Sequence, residues 1–141
     1  MRGFDHEATA LLPPSLASAG EARSFVRGTA ADVLDEEGLA TAELLTSEVV
    51  TNALLYGRDA PRLVVACRGH TVRVSVEDAD PRWPTRQSVA ETELRGRGIA
   101  LVDALAAAWG VERLDQVGKR VWFEVREGQE WPAGLVLHWD R

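Results

Sequence analysis

The chain has 141 residues, 45% of them hydrophobic and 27% charged, which suits one globular domain with a core of its own. Its net charge of −6 argues against long-range attraction to nucleic acid or to an anionic membrane surface. A single cysteine, Cys67, excludes an intrachain disulfide, and nowhere do about 18 apolar residues run together as a membrane span requires.

The start, "MRGFDHEATALLPPS", lacks the apolar centre of a signal peptide, so a cytoplasmic location is expected. "ATALLP" is short, apolar and stopped by Pro13-Pro14, as in an edge strand. Ser18-Ala19-Gly20-Glu21 has the form of a capping box, and Ala22, Phe25, Val26, Ala30 and Val33 continue at helical spacing to about Leu34. "DEEG" breaks that pattern. "ELLTSEVVTNALLYG", residues 43 to 57, reads as a second helix with Leu45, Val49, Ala53 and Tyr56 on one face and Gly57 as its C-terminal cap.

"RLVVAC" and "TVRVSVED" read as strands joined at Arg68-Gly69-His70, with Cys67 a small buried hydrophobe. Val72, Val74 and Val76 alternate with Thr71, Arg73, Ser75 and Glu77, the period of a sheet with one buried face. Residues 79 to 95 hold Pro81, Pro84 and Trp83 and read as a long loop, a length usually tied to function. "GIALVDALAAAWG" is a helix entered from Gly96-Arg97-Gly98. "WGVERL" and "KRVWFEV" form a closing hairpin in which Trp109 and Trp122 are expected to pack, while "LVLHW" in the tail is a strand or a packing arm. The order predicts an α+β two-layer sandwich, a mostly antiparallel mixed sheet with helices on one face.

Two polar residues interrupt the second helix. At 100° per residue Asn52 falls near the centre of the apolar face and Glu48 at its edge. Burying an amide without partners costs about 1–3 kcal/mol, and an unpaired carboxylate costs more. Either Asn52 bonds nearby backbone and Glu48 is solvated, or this face lines a polar cavity. In a cavity, oxygen ligands suit Mg2+, and a carboxylate one turn away suits a general base. Asp78, at the end of the alternating strand, can accept from an amino group or form a turn. Gly96-x-Gly98 before a helix can turn backbone N–H groups towards an anion, with Arg95 and Arg97 adding positive charge, or simply enter the helix. No P-loop, dinucleotide fingerprint, G-x-S-x-G elbow or zinc-ligand spacing occurs.

Taken together, Glu48-x-x-x-Asn52 on a helix, Asp78 after a strand, and Gly96-x-Gly98 opening a helix resemble the N, G1 and G2 boxes of the GHKL ATPases, the group that includes gyrase, MutL and histidine kinases. "LLTSEVVTNALLYG", "VSVEDADPRWP", "GRGIALVDALAAAWGV" and "GKRVWFEV" resemble the stand-alone anti-sigma factor serine/threonine kinases of the RsbW and SpoIIAB type, in particular their small actinobacterial members. The resemblance covers roughly residues 8 to 126, leaving 127 to 141 as an extension.

The resemblance implies the Bergerat ATP-binding fold, with ATP and Mg2+ as cofactors. It implies Glu48 as general base, Asn52 as Mg2+ ligand and Asp78 as partner of the adenine amino group. It sets Gly96, Arg97, Gly98 and Ile99 around the phosphates, under a lid formed by residues 79 to 95. One departure is visible: the family's Asp-x-Gly is here Asp78-Ala79-Asp80, so Asp80 brings a charged side chain to the expected base site. The implied activity is an ATP-dependent kinase acting on a serine or threonine of an anti-anti-sigma (STAS) protein. The implied partners are that protein and a sigma factor, with a homodimer possible and no nucleic acid or membrane. The alternative is a nucleotide-responsive protein-binding module without transferase activity.

Overall fold

The alternating runs pair into one sheet. The structure is a computed structural model that describes residues 6–56, 60–78, 96–114 and 118–129. In chain order these form β1 (His6–Leu11), α1 (Ser18–Ala30), α2 (Glu36–Tyr56), β2 (Arg62–Arg68), β3 (Thr71–Asp78), α3 (Gly96–Leu105), β4 (Ala108–Arg113) and β5 (Lys119–Arg126). The order of elements is the expected one, and the α+β architecture with helices over one sheet face holds. The sheet order is β1-β2-β3-β5-β4, with β1 at an edge as its terminal prolines require. Every described pairing is antiparallel, so the expected mixed character is not seen among the described strands.

Alternation decides the faces. Leu63, Val65 and Cys67 of β2, Val72, Val74 and Val76 of β3, and Phe123 and Val125 of β5 are buried on one side of the sheet. Onto them pack Ala22, Val26 and Ala30 of α1, spaced four apart, Leu45 and Val49 of α2, and Val102 and Leu105 of α3. Helix α2 is central: it touches α1, α3, β3 and β5, which is why it is buried over most of its circumference between Leu39 and Val50.

Helix ends differ from expectation. The capping box does not form, because the N–H groups of Ser18, Ala19 and Gly20 already donate to the carbonyls of Ser15, Leu16 and Ala17. Ser18 Oγ instead donates to the Pro13 carbonyl at 2.7 Å. Helix α1 stops at Ala30, short of Leu34. "DEEG" follows the break after α1 and also starts the next helix: Asp35 Oδ1 accepts from the Gly38 N–H at 2.8 Å and caps α2, which begins at Glu36, seven residues before Glu43. At the other end, α2 is described to Tyr56, and Gly57 lies outside the described residues.

Helix α3 ends at Leu105, inside the alanine-rich run expected to stay helical. The Ala107 N–H donates to the Glu124 carbonyl at 2.8 Å, so pairing with β5 overrides local helix propensity. Gln129 Nε2 donates to the Leu105 carbonyl at 2.6 Å and closes the helix end.

Charges tie the layers together. Arg27 of α1 bridges Glu36 and Glu43 of α2. The hydrogen bonds Arg27 donates, to Glu36 first and then to Glu43, hold its guanidinium above its ordinary pKa, and Arg27 holds Glu36 below the ordinary carboxylate value. On the sheet face away from the helices, Arg120 bridges Glu77 and Glu112, each at 2.8 Å. Its pKa is raised, chiefly by the hydrogen bond to Glu77. Trp122 lies on this outer face with the Arg73 guanidinium 4.0 Å from its ring centre, so it is a platform rather than a core residue. Trp109 does pack against the core, and its Nε1 donates to Asp103 Oδ1 at 2.9 Å.

Candidate functional site

The candidate residues fall on three elements of the helix-covered side. Glu48 and Asn52 stand one turn apart on α2. From Thr41 to Val50 α2 is mostly buried, whereas Thr51, Asn52, Ala53 and Leu54 are half-buried and Leu55 is exposed. Glu48 is half-buried as well. Neither side chain hydrogen-bonds another described side chain. Asn52 is therefore less enclosed than the apolar pattern around it suggests. The amide and the carboxylate stand where α2 emerges from the core rather than inside it.

Asp78 is the last residue of β3, and its parity with Val72, Val74 and Val76 turns it towards the helices. It is 6% exposed, and Lys119 Nζ donates to its Oδ2 at 3.3 Å. The two are direct register partners on neighbouring strands. Sequence reasoning passes over Lys119, although its parity with Phe123 and Val125 was enough to place it on the inner face.

Gly96, Arg97, Gly98 and Ile99 form the first turn of α3 itself, not a loop leading into it. Their backbone N–H groups are then the donors that a helix start leaves without intrahelical partners. Helix α3 packs against α2, so this turn belongs to the same helical layer as Glu48 and Asn52. Asp80, Arg95, Trp83 and the rest of the expected lid, residues 79 to 95, lie outside the described residues, as does "LVLHW" of the tail.

A divalent cation would find a sparse protein shell. No group of three or more His, Cys, Asp or Glu side chains that could hold a metal occurs among the described residues. One amide oxygen from Asn52 suits Mg2+ bound mainly through phosphate oxygens and water, and does not suit a cation that needs an all-protein cage. Among the described residues no helix is long and apolar enough to cross a membrane.

Comparison with known proteins bears on the family and the fold. Residues 12–125 match the family described as the histidine kinase-like ATPase domain. An uncharacterized protein of Streptomyces coelicolor is 50% identical over 73 residues, covering 48% of this chain and 69% of that protein. The histidine kinase domain of a blue-light activated histidine kinase from Erythrobacter litoralis is similar in structure, with a TM-score of 0.53 and 25% identity. That alignment covers 81% of this chain and 61% of the kinase-domain chain, so the present chain spans about three-fifths of it.

Proposed function

We propose that this chain, which belongs to the histidine kinase-like ATPase domain family, is an anti-sigma regulatory factor that phosphorylates a serine or threonine of a STAS-domain partner with ATP. Membership in an ATPase-domain family implies ATP as ligand. The observation that carries the finer reading is the pair Glu48 and Asn52, one turn apart on the emerging half of α2, with no described side chain taking up either group.

In this reading Asp78 receives the adenine amino group. The first turn of α3, from Gly96 through Arg97 and Gly98 to Ile99, offers backbone donors and a favourable dipole to the phosphates. The Asn52 amide oxygen would hold Mg2+, which when bound offsets phosphate charge. Glu48 accepts the proton of the attacking hydroxyl as its oxygen bonds to the γ-phosphorus. The bond from that phosphorus to the β–γ bridging oxygen breaks, and ADP leaves. Little covalent chemistry is asked of the protein, because phosphoryl transfer depends mainly on position and charge.

The test is transfer of labelled γ-phosphate from Mg-ATP to purified STAS-domain proteins, followed by phosphoserine and phosphothreonine analysis. Glu48→Gln should abolish transfer and keep nucleotide binding, whereas Asn52→Ala should weaken Mg-ATP binding. Transfer at the unmodified rate in Glu48→Gln refutes the assigned base. Nucleotide binding that alters partner affinity without any transfer establishes a nucleotide-responsive binding module instead.

A further inference from the structure

Along the inner face of the β3–β5 pair the cross-strand partners are Val72 with Val125, Val74 with Phe123, and Val76 with Val121. The next pair on this face, Asp78 with Lys119, is charged. Both side chains are largely enclosed, at 6% and 17% exposure. Removing an ion pair from water is costly, and apolar residues of similar volume often stabilise as well or better. The other pairs on this inner face use such residues. Stability alone therefore gives no reason for the change at this end, which is the end that carries the proposed adenine-binding carboxylate. The approach to Lys119 is fixed, since the Gly118 carbonyl accepts from the Leu114 N–H at 2.9 Å.

Resting on the ATP-binding reading above, we infer that Lys119 reads the base together with Asp78 and sets the choice of adenine over guanine. On its Watson–Crick edge adenine presents an amino donor beside a ring-nitrogen acceptor, while guanine presents there a carbonyl oxygen beside a ring N–H donor. A carboxylate and an ammonium 3.3 Å apart offer the complementary acceptor and donor. A carboxylate without that neighbour has another option: its two oxygens can accept two adjacent N–H groups, which guanine supplies. Lys119 on Oδ2 closes that option and places a donor where adenine has its acceptor. It also repels nothing on adenine, whereas guanine in the same pose sets its carbonyl oxygen against the carboxylate.

The experiment is calorimetric titration of the full chain, as wild type, Lys119→Met and Lys119→Arg, with Mg-ATP and with Mg-GTP. Wild type should prefer ATP. Lys119→Met should lower the ATP-to-GTP affinity ratio by about tenfold or more, the size expected for losing one good base contact. Lys119→Arg, which keeps a donor and the charge, should recover most of that ratio. A purely structural lysine would weaken both nucleotides together, so an unchanged ratio in Lys119→Met overturns the inference while leaving ATP binding standing. Absence of ATP binding in the wild type overturns the underlying reading and this inference with it. Melting curves of each variant show that the compared proteins are folded.

Discussion

The indole of Trp122 occupies the space that a side chain at residue 110 would need. A Cβ built on Gly110 would lie 2.9 Å from Trp122 Cζ2 and Nε1. The two residues are register partners on β4 and β5, so the glycine lets the large ring lie across the neighbouring strand. Arg73 then stacks on the ring and reaches Glu124 at 2.8 Å, joining β3 to β5 on the outer face.

Gly110→Ala should therefore destabilise the fold by about 1–3 kcal/mol, the usual cost of forcing extra volume against a packed group. Urea unfolding followed by tryptophan fluorescence measures this. An unchanged midpoint would mean that the ring moves aside freely, and that the stack of Arg73 on Trp122 contributes little.

Helix α2 depends on Asp35 for its start, through the bond from the Gly38 N–H to Oδ1 at 2.8 Å. Asp35→Ala should cost about 1 kcal/mol, and Asp35→Asn much less, because asparagine caps about as well. Equal losses in the two variants would assign the effect to charge near the helix dipole rather than to the cap.

Thr46 is fully buried, and its Oγ1 has no hydrogen-bond partner among the described residues. Thr46→Val keeps the shape and removes the orphaned hydroxyl. It should raise stability by about 1 kcal/mol, since a buried polar atom without a partner carries an uncompensated desolvation cost. Thr46→Ser keeps the hydroxyl and loses the methyl group, so its midpoint should fall. A fall in Thr46→Val as well would show that the hydroxyl is satisfied in solution.

The elements themselves were legible because their signals are local. Alternation in "TVRVSVED" and helical spacing in α1 and α2 report which side of each segment meets the core, whatever lies there. Ends were less legible. The Ser-x-x-Glu pattern in the first turn of α1 met donors that a preceding turn had already satisfied. The alanine run after Leu105 was drawn away from the helix by the Glu124 carbonyl. In both places a backbone group from elsewhere competed with the local preference and won.

For the candidate site, the sequence by itself determined the polar interruptions: Glu48 and Asn52 on an otherwise apolar helix, Asp78 at the inward end of an alternating strand, and glycines at the start of α3. Their periodicity set their faces. Only the tertiary structure decided what stands beside them. The insertion of β5 between β3 and β4 brings Lys119 to Asp78 across 41 residues of chain. It equally decided that α2 leaves the core near Asn52, so that the amide is half-buried rather than central. Register between distant strands follows from the sum of many cross-strand contacts, and no window of sequence contains both partners.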